Sequence, residues 1–238
     1  MPALRVIGDV HAQFGPEDVL KPRARPYCEI AAEAAYSVQI GDMGDAETYD
    51  QLARNLEPAR HCFFPGNHDD YHHLPPHCLG DFGLVNRGGV EFFFLRGAAS
   101  FDREKLVRRG KELGRTLWHE QEELSEEQMR LAEEQYVQAK PRIVLTHDAP
   151  TAIAEFAWQH AARSRRSQPQ PVFRPSRTNE FLTRLHQLHQ PEFWVFGHHH
   201  HDWSYRELET RFVCLGELSW MDIDANGDSI ESVNATSK

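Results

Sequence analysis

The stretch Leu4-Arg5-Val6-Ile7-Gly8-Asp9-Val10-His11 sets a pattern that recurs along the 238-residue chain. Four mainly apolar residues, too few for a typical helix and rich in β-branched side chains, stop at a glycine and give way to a carboxylate and an imidazole. The same arrangement returns where residues 37–40 run into Gly41-Asp42 and residues 61–64 into Pro65-Gly66-Asn67-His68-Asp69. It returns again where residues 143–145 run into Thr146-His147-Asp148, and where residues 193–196 run into Gly197-His198-His199-His200-His201. These runs predict five buried strands, each with polar chemistry at its carboxyl end. Ligands of open α/β sheets collect in the crevice beyond those ends, so five loops are expected to converge on one site.

Helical patterns separate the strands. Residues 29–36 are Ala-rich, residues 48–56 follow the second strand, and Ser125 with Gln128 forms a capping box that opens a helix to about residue 139. Residues 179–188 read as a helix capped by Thr178 or Asn179. The alternation predicts a layered α/β fold. Residues 207–215 and 223–232 read as later strands, with Asn226-Gly227 as a hairpin turn. Two segments break the regularity and read as insertions within a single domain spanning residues 1–238. One is the Pro-, Gly- and His-containing stretch 71–89, which reads as a loop. The other covers 151–178 and includes an arginine-rich part, residues 162–177, compatible with either a solvated surface loop or a lid for an anionic substrate.

Lys plus Arg total 26 against 36 acidic residues, a net charge of −10, which disfavours broad adhesion to nucleic acid or to an anionic membrane. An anionic substrate therefore needs a local positive centre. The four cysteines lack CxxC pairing and read as reduced, mostly buried thiols. No signal-type leader opens the sequence and no run reaches the ~18 apolar residues of a membrane span, so a cytoplasmic protein without membrane insertion is expected. Histidine is the outlier, with fifteen residues, many in short clusters.

Taken singly, the polar loops have ordinary explanations. Asp42 and Asp45 suit turns or helix caps, and Asn67-His68 suits an Asx turn. Taken in order, Asp-x-His, Gly-Asp-x-x-Asp, Gly-Asn-His-Asp, a lone His after a strand and Gly-His-x-His are hard to ascribe to independent turn chemistry. In that order the chain resembles the calcineurin-like metallophosphoesterases over residues 3–216. The resemblance implies a four-layer α/β/β/α sandwich with two central mixed β-sheets and a metal site at the strand C-terminal ends. It implies that Asp9, His11 and His200 hold one metal, that Asn67, His147 and His198 hold another, and that Asp42 bridges them. Two divalent or trivalent ions are expected, from Mn, Fe, Zn or Co and chiefly Mn or an Fe/Mn pair, because carboxylate, amide and imidazole ligands suit these. For the histidine run, period-two alternation puts His198 and His200 on one side if strand geometry persists.

The resemblance further implies phosphoester hydrolysis by a metal-bridging hydroxide, with His68 as general acid and Asp45 orienting it. Asp69 and Asp148 read as supporting or turn residues. The pattern departs from protein Ser/Thr phosphatases, because Asp45 is followed by Ala46-Glu47 instead of Arg-Gly, and the third motif ends in Asp69 instead of Glu. It looks more like small bacterial and phage-type members, which resemble Gly97-Ala98-Ala99-Ser100-Phe101-Asp102 followed by a Trp-x-Glu stretch, here Trp118-His119-Glu120. Ser100, Asp102, Arg103 and Trp118 are candidates to line the substrate side. The expected ligand is a small phosphoester or a nucleotide, mono- or diester, with nuclease or protein phosphatase activity as alternatives within the enzyme class. The alternative class is an inactive scaffold of the same fold that binds proteins.

Overall fold

The computed structural model describes residues 4–20, 25–114, 116–164, 172–224, 226 and 229–230. In chain order the elements are β1 (Leu4–Ile7), α1 (Tyr27–Ala32), β2 (Ser37–Gln39), α2 (Ala46–Asn55), β3 (His61–Phe63), β4 (Phe82–Arg87) and β5 (Val90–Leu95). There follow α3 (Arg103–Leu113), a 3-10 turn at Glu120–Glu122, α4 (Glu126–Ala139), β6 (Ile143–Thr146), α5 (Thr151–Ser164), α6 (Arg177–Leu188) and β7 (Phe193–Phe196). The chain continues through β8 (Trp203–Glu207), β9 (Thr210–Cys214), β10 (Trp220–Ile223) and β11 (Ser229–Ile230).

The strands form two mixed sheets, ordered β11-β10-β1-β2-β3 and β4-β5-β6-β7-β9-β8. Leu4, Val6, Val38, Ile40 and Phe64 of the first sheet meet Phe92, Phe94, Leu145, Val195 and Val213 of the second in one buried cluster, which is the layer between the sheets. The second sheet's other face buries Phe93, Val144, Trp194 and Phe212 against Tyr136 of α4, Ile153 of α5 and Leu182 of α6. The first sheet's outer face buries Ile7 and Phe63 against Ile30 of α1 and Leu52 of α2. Strands covered on both faces read as near-continuous apolar runs, which is why their signal in the sequence is a short block and not an alternation. This is the expected α/β/β/α arrangement.

Within each sheet the site-bearing strands run parallel: β1, β2 and β3 in one, β6 and β7 in the other. Their carboxyl ends therefore open on a common edge.

Several local expectations are corrected. Residues 71–89 are not all loop, since Phe82–Arg87 pairs antiparallel with β5 across Gly88-Gly89, whose φ angles of 60° and 85° make the turn. A Gly-Gly pair between two apolar runs is the hairpin signal. Residues Thr151–Ser164 within the expected insertion are helix α5. Helix α6 is capped by Ser176, in a capping box with Asn179, and not by Thr178 or Asn179 itself. Strand β8 lies ahead of the expected later strand and pairs antiparallel with β9. The capping box of α4 is present as read. Residues 165–171, the heart of the arginine-rich stretch, lie outside the described residues. Among the described residues, no helix is long and apolar enough to cross a membrane, and all four cysteines are free.

Candidate metal centre

The two sheets are joined at the site itself. His147, after β6, donates its Nδ1–H to the carbonyl of Ile40, after β2, at 2.8 Å. The backbone N–H of His198, after β7, donates to Asp9 Oδ1, after β1, at 3.1 Å. Within the first sheet's loops, the Asp42 carbonyl accepts the N–H groups of Val10 and His11 at 3.0 and 2.8 Å.

Close approach of side chain to backbone explains two of the motif glycines. A Cβ on Gly197 would stand 2.3 Å from Asp9 Oδ1, and one on Gly66 would stand 2.3 Å from Asp42 Oδ1. Each carboxylate occupies the space where another residue type would carry a side chain.

Asp9, His11, Asp42 and His200 present ligand atoms lying within 4.8 Å of one another, and so do Asp42, His147 and His198. Asp42 belongs to both groups. Asn67 Oδ1 lies 3.1 Å from His147 Nε2, which adds an amide oxygen to the second group. The structure thus brings all seven candidate ligands together. Four of them, His11, Asp42, His198 and His200, have φ between 49° and 65°. Left-handed backbone costs a non-glycine residue about 1–2 kcal/mol, so this concentration of strain marks the loops as held in place by their surroundings. His198 and His200 both reach the cluster, but not by the expected strand alternation. Both residues lie on a left-handed loop, which aims His199 at Asp148 instead, with Nε2 to Oδ1 at 3.3 Å.

The donor set fits a pair of cations on the evidence of its unsatisfied atoms. Asp42 Oδ2 and His198 Nε2 are buried without a hydrogen-bond partner, and the buried Asp9 Oδ2 faces His200 Nε2 at 3.1 Å. Native structures rarely leave buried polar atoms unpaired, and Asp42 and His198 belong to one ligand group. Burial pushes the carboxyls of Asp9 and Asp42 up, yet nearby imidazoles, His200 and His147 for Asp9 and chiefly His147 for Asp42, hold both below the usual range. Burial disfavours charge on His147 as well, but Asp42 and Asp9 push it up to about 10. His200 is likewise pushed up to about 10 by Asp9 and Glu217 against its burial. Burial and the neighbouring His147 and His199 push His198 down to about 3, so its ring is neutral.

Access is one-sided. The side chains of Asp9, Asp42 and His147 are fully enclosed, while that of His11 keeps 23% of its exposure and that of His200 34%. His68 is exposed on this side, its ring centroid 5.6 Å from that of His11 and its backbone N–H donating to Asp42 Oδ1 at 2.8 Å. Phe101, half exposed, stacks on His198 at 4.7 Å on the other rim. Asp45 caps α2, accepting from Thr48 N and Oγ1 at 3.2 Å each, and no hydrogen bond or ion pair among the described residues joins it to His68. Ser100 is buried and bonded to Asn67 and Glu122, so it does not line an open substrate surface. The Arg103 guanidinium lies 3.9 Å over the Trp118 ring, which places that tryptophan beneath α3.

Four supporting residues carry more than their sequence signal suggested. Asp69 accepts from the N–H groups of Asp42, Gly44 and Gly66 and from Tyr49 Oη, tying the second and third loops together. Asp148 receives His199, and Glu217 lies 3.2 Å from His200 Nδ1. Glu217 had a findable signal, because residues 212–215 run into Gly216-Glu217 just as the other strands run into their motifs. Glu122, not Glu120, is the glutamate that follows Trp118 into the site. Its position in a 3-10 turn leaves no periodicity to read.

Two mixed sheets between helical layers, with clustered carboxylates and imidazoles on one edge, define the class: an α/β/β/α sandwich with a candidate paired-cation centre. The chain belongs to the calcineurin-like phosphoesterase family, whose model matches residues 4–202. No curated protein matches it. Among solved structures it is similar to the phosphopantetheinyl hydrolase PptH of Mycobacterium tuberculosis, with 13% identity, 91% of this chain and 90% of that chain covered, and a TM-score of 0.44. It is similar to Vps29 of Entamoeba histolytica solved with zinc, with 12% identity, 94% and 87% covered, and a TM-score of 0.38. It is also similar to GAP50, the anchor in the inner membrane complex of Plasmodium, with 10% identity, 97% and 88% covered, and a TM-score of 0.45.

Proposed function

We propose that the chain hydrolyses phosphoesters at a two-cation centre. Asp9, His11 and His200 would hold one ion, Asn67, His147 and His198 the other, and Asp42 both. The observation that carries this reading is the pair of ligand groups sharing Asp42, with Asp42 Oδ2 and His198 Nε2 buried and unpaired inside them. Oxygen and imidazole donors without a thiolate suit Mn, Fe, Zn or Co. Bound cations of this kind acidify water and neutralise phosphoryl oxygens, which supplies the positive centre that the net charge denies.

The chain's own residues do the rest. Asp42 is fixed from both sides, its N–H on Asp69 and its Oδ1 accepting from His68 N, so the shared carboxylate cannot swing toward either group. His147 keeps its Nδ1–H on Ile40, which turns Nε2 inward. His68 stands at the solvent-facing mouth, where an imidazole can pass a proton to a departing alkoxide. Its anchoring is by backbone, and Asp45 serves α2. A small phosphoester such as a nucleotide matches the local charge better than nucleic acid, whose binding would have to overcome the net charge of −10.

Turnover of p-nitrophenyl phosphate and bis(p-nitrophenyl) phosphate with added Mn ranks mono- against diester chemistry. His68→Ala tests the acid: turnover of an alkyl phosphate should fall by ~10²–10⁴ while metal uptake persists. Unchanged alkyl turnover would remove His68 from that role. Metal uptake with no hydrolysis of any phosphoester by the unsubstituted protein would favour the scaffold instead.

A further inference from the structure

Beyond the ligands, a hydrogen-bond chain runs inward from a residue no motif marks. The Glu122 carboxylate is 3% exposed and accepts twice from Ser100, its Oε1 from the backbone N–H at 2.9 Å and its Oε2 from the hydroxyl at 2.7 Å. The Ser100 oxygen in turn accepts from Asn67 Nδ2 at 3.1 Å, and Asn67 Oδ1 lies 3.1 Å from His147 Nε2. Backbone bonds hold the three segments in register: Gly97 N–H on the carbonyl of Pro65 at 3.0 Å, and Ala98 N–H on that of Glu122 at 3.1 Å.

Burial pushes the Glu122 carboxyl up against the Ser100 bonds that favour its charged form. The ionised carboxylate has acceptors only, and with it the Ser100 proton points at Glu122. The Ser100 lone pairs then face Asn67, which can answer only with its NH₂ group. The carbonyl end of the amide is thereby aimed at the His147 and His198 side. A flipped amide would present two N–H groups to a cation and repel it.

We propose that Glu122 is a positioning residue which, through Ser100, sets the orientation of the Asn67 amide and so the affinity of the second cation position. This rests on the reading of Asn67 as a ligand. Glu122→Gln is nearly isosteric yet inverts the chain. The glutamine oxygen must still accept the Ser100 backbone N–H, its NH₂ then faces the hydroxyl, and the hydroxyl proton is freed to point at Asn67 Oδ1.

The test is calorimetric titration of the full chain with Mn²⁺ alone. The unsubstituted protein should take up two ions. Glu122→Gln should weaken one of the two by about 10–100-fold, the range for residues that orient metal ligands, and leave the other unchanged. Ser100→Ala should weaken the same ion, and Ser100→Thr, which keeps the hydroxyl, should restore it. On the Ser100→Ala background, Glu122→Gln should have little further effect, because the chain is already cut. Thermal melting in chelator checks the fold of each variant. Independent, multiplying losses, equal weakening of both ions, or two unchanged affinities in Glu122→Gln would each overturn the inference. Failure of the unsubstituted protein to bind two ions would instead overturn the cation-centre reading beneath it.

Discussion

Replacing Asp69 tests whether the site is assembled by its supporting hydrogen bonds or by the ligands themselves. Asp69 is buried, and its Oδ2 accepts from Asp42 N at 2.8 Å and Gly66 N at 2.7 Å, while its Oδ1 accepts from Gly44 N at 3.0 Å and Tyr49 Oη at 2.9 Å. Asn at this position keeps one oxygen. That oxygen should stay on the Asp42 and Gly66 side, because the Tyr49 hydroxyl can turn and accept from the new NH₂ group whereas a backbone N–H cannot. One amide, Gly44 N–H, then loses its acceptor, and two charge-assisted bonds become neutral. An unsatisfied buried donor costs about 1–3 kcal/mol and a charge-assisted bond exceeds a neutral one by about 1 kcal/mol. Burial and the charge of Asp42 hold the Asp69 carboxyl above its usual range, against the pull of the Gly44 and Gly66 N–H groups. Removing the charge therefore returns part of the loss, and about 3 kcal/mol remains for Asp69→Asn. Asp69→Ala strands three backbone donors and should cost about 5 kcal/mol. At about 2–4 °C per kcal/mol for a chain of this size, differential scanning calorimetry should show Tm falling by roughly 6–12 °C and 10–20 °C respectively. An Asn variant melting within about 2 °C of the parent, or an Ala variant no worse than Asn, would refute the role of Asp69 as the hub of the two loops.

His61, 5% exposed with Nδ1 3.0 Å from Ser37 Oγ, is pushed down to about 4 by burial and by the neighbouring Arg60 and His77. Its neutral form contributes stability above the unfolded value of about 6.5 that is lost as pH falls toward 4, about 1–3 kcal/mol after allowance for solvent screening; urea melts across that window should flatten in His61→Gln. Gly197→Ala places a methyl 2.3 Å from Asp9 Oδ1 and should cut metal uptake, measured by elemental analysis, while costing about 1–3 kcal/mol of overpacking; full uptake would contradict the contact. Mn²⁺ at about 100 times its dissociation constant should stabilise the fold by about 2.7 kcal/mol per site, or roughly 5–11 °C in Tm; chelator should abolish the shift and His147→Ala should reduce it.

The parts of the fold that were readable are those where a local signal and the tertiary outcome share a cause. Strands buried on both faces must be short apolar blocks, and the residue that ends such a block stands at the sheet edge where ligands bind, so the blocks at Leu4–Ile7 and Phe193–Phe196 located strand and site together. The Ser125 cap was readable because Gln128 answers it within one turn. Edge strand β4 was masked by its exposure pattern and the glycine at position 83, and β8 by three exposed residues in five. In the histidine run the expected strand alternation fails, since nothing local announces that His198 and His200 turn left-handed. Glu122, Asp69 and Glu217 were illegible or undervalued for one reason. The Glu122 partner lies 22 residues away, three of the four Asp69 partners 20 to 27 away and the Glu217 partner 17 away, and only the packed sheets bring them together.

Why this edge of the sandwich should hold cations follows from comparing its polar groups with those elsewhere. Several ionisable groups outside the ligand set are answered by the protein: Arg5 by both oxygens of Asp222, Asp148 by His199 and Ala149 N–H, Asp202 by Gly216 N–H and Ser219. At the site the same fold encloses two carboxylates fully, leaves Asp42 Oδ2 without a hydrogen-bond partner, and holds the neutral imidazole of His198 beside it with Nε2 unpaired. Hydrophobic packing alone would remove such an arrangement, since apolar replacements of like volume are often neutral or stabilising where ions are buried. The four left-handed backbones add strain to that cost. The proposed cations would offset these costs in backbone, desolvation and repulsion beyond what His147 and His200 supply, and phosphoester chemistry would follow from what such a charge does to oxygens brought against it.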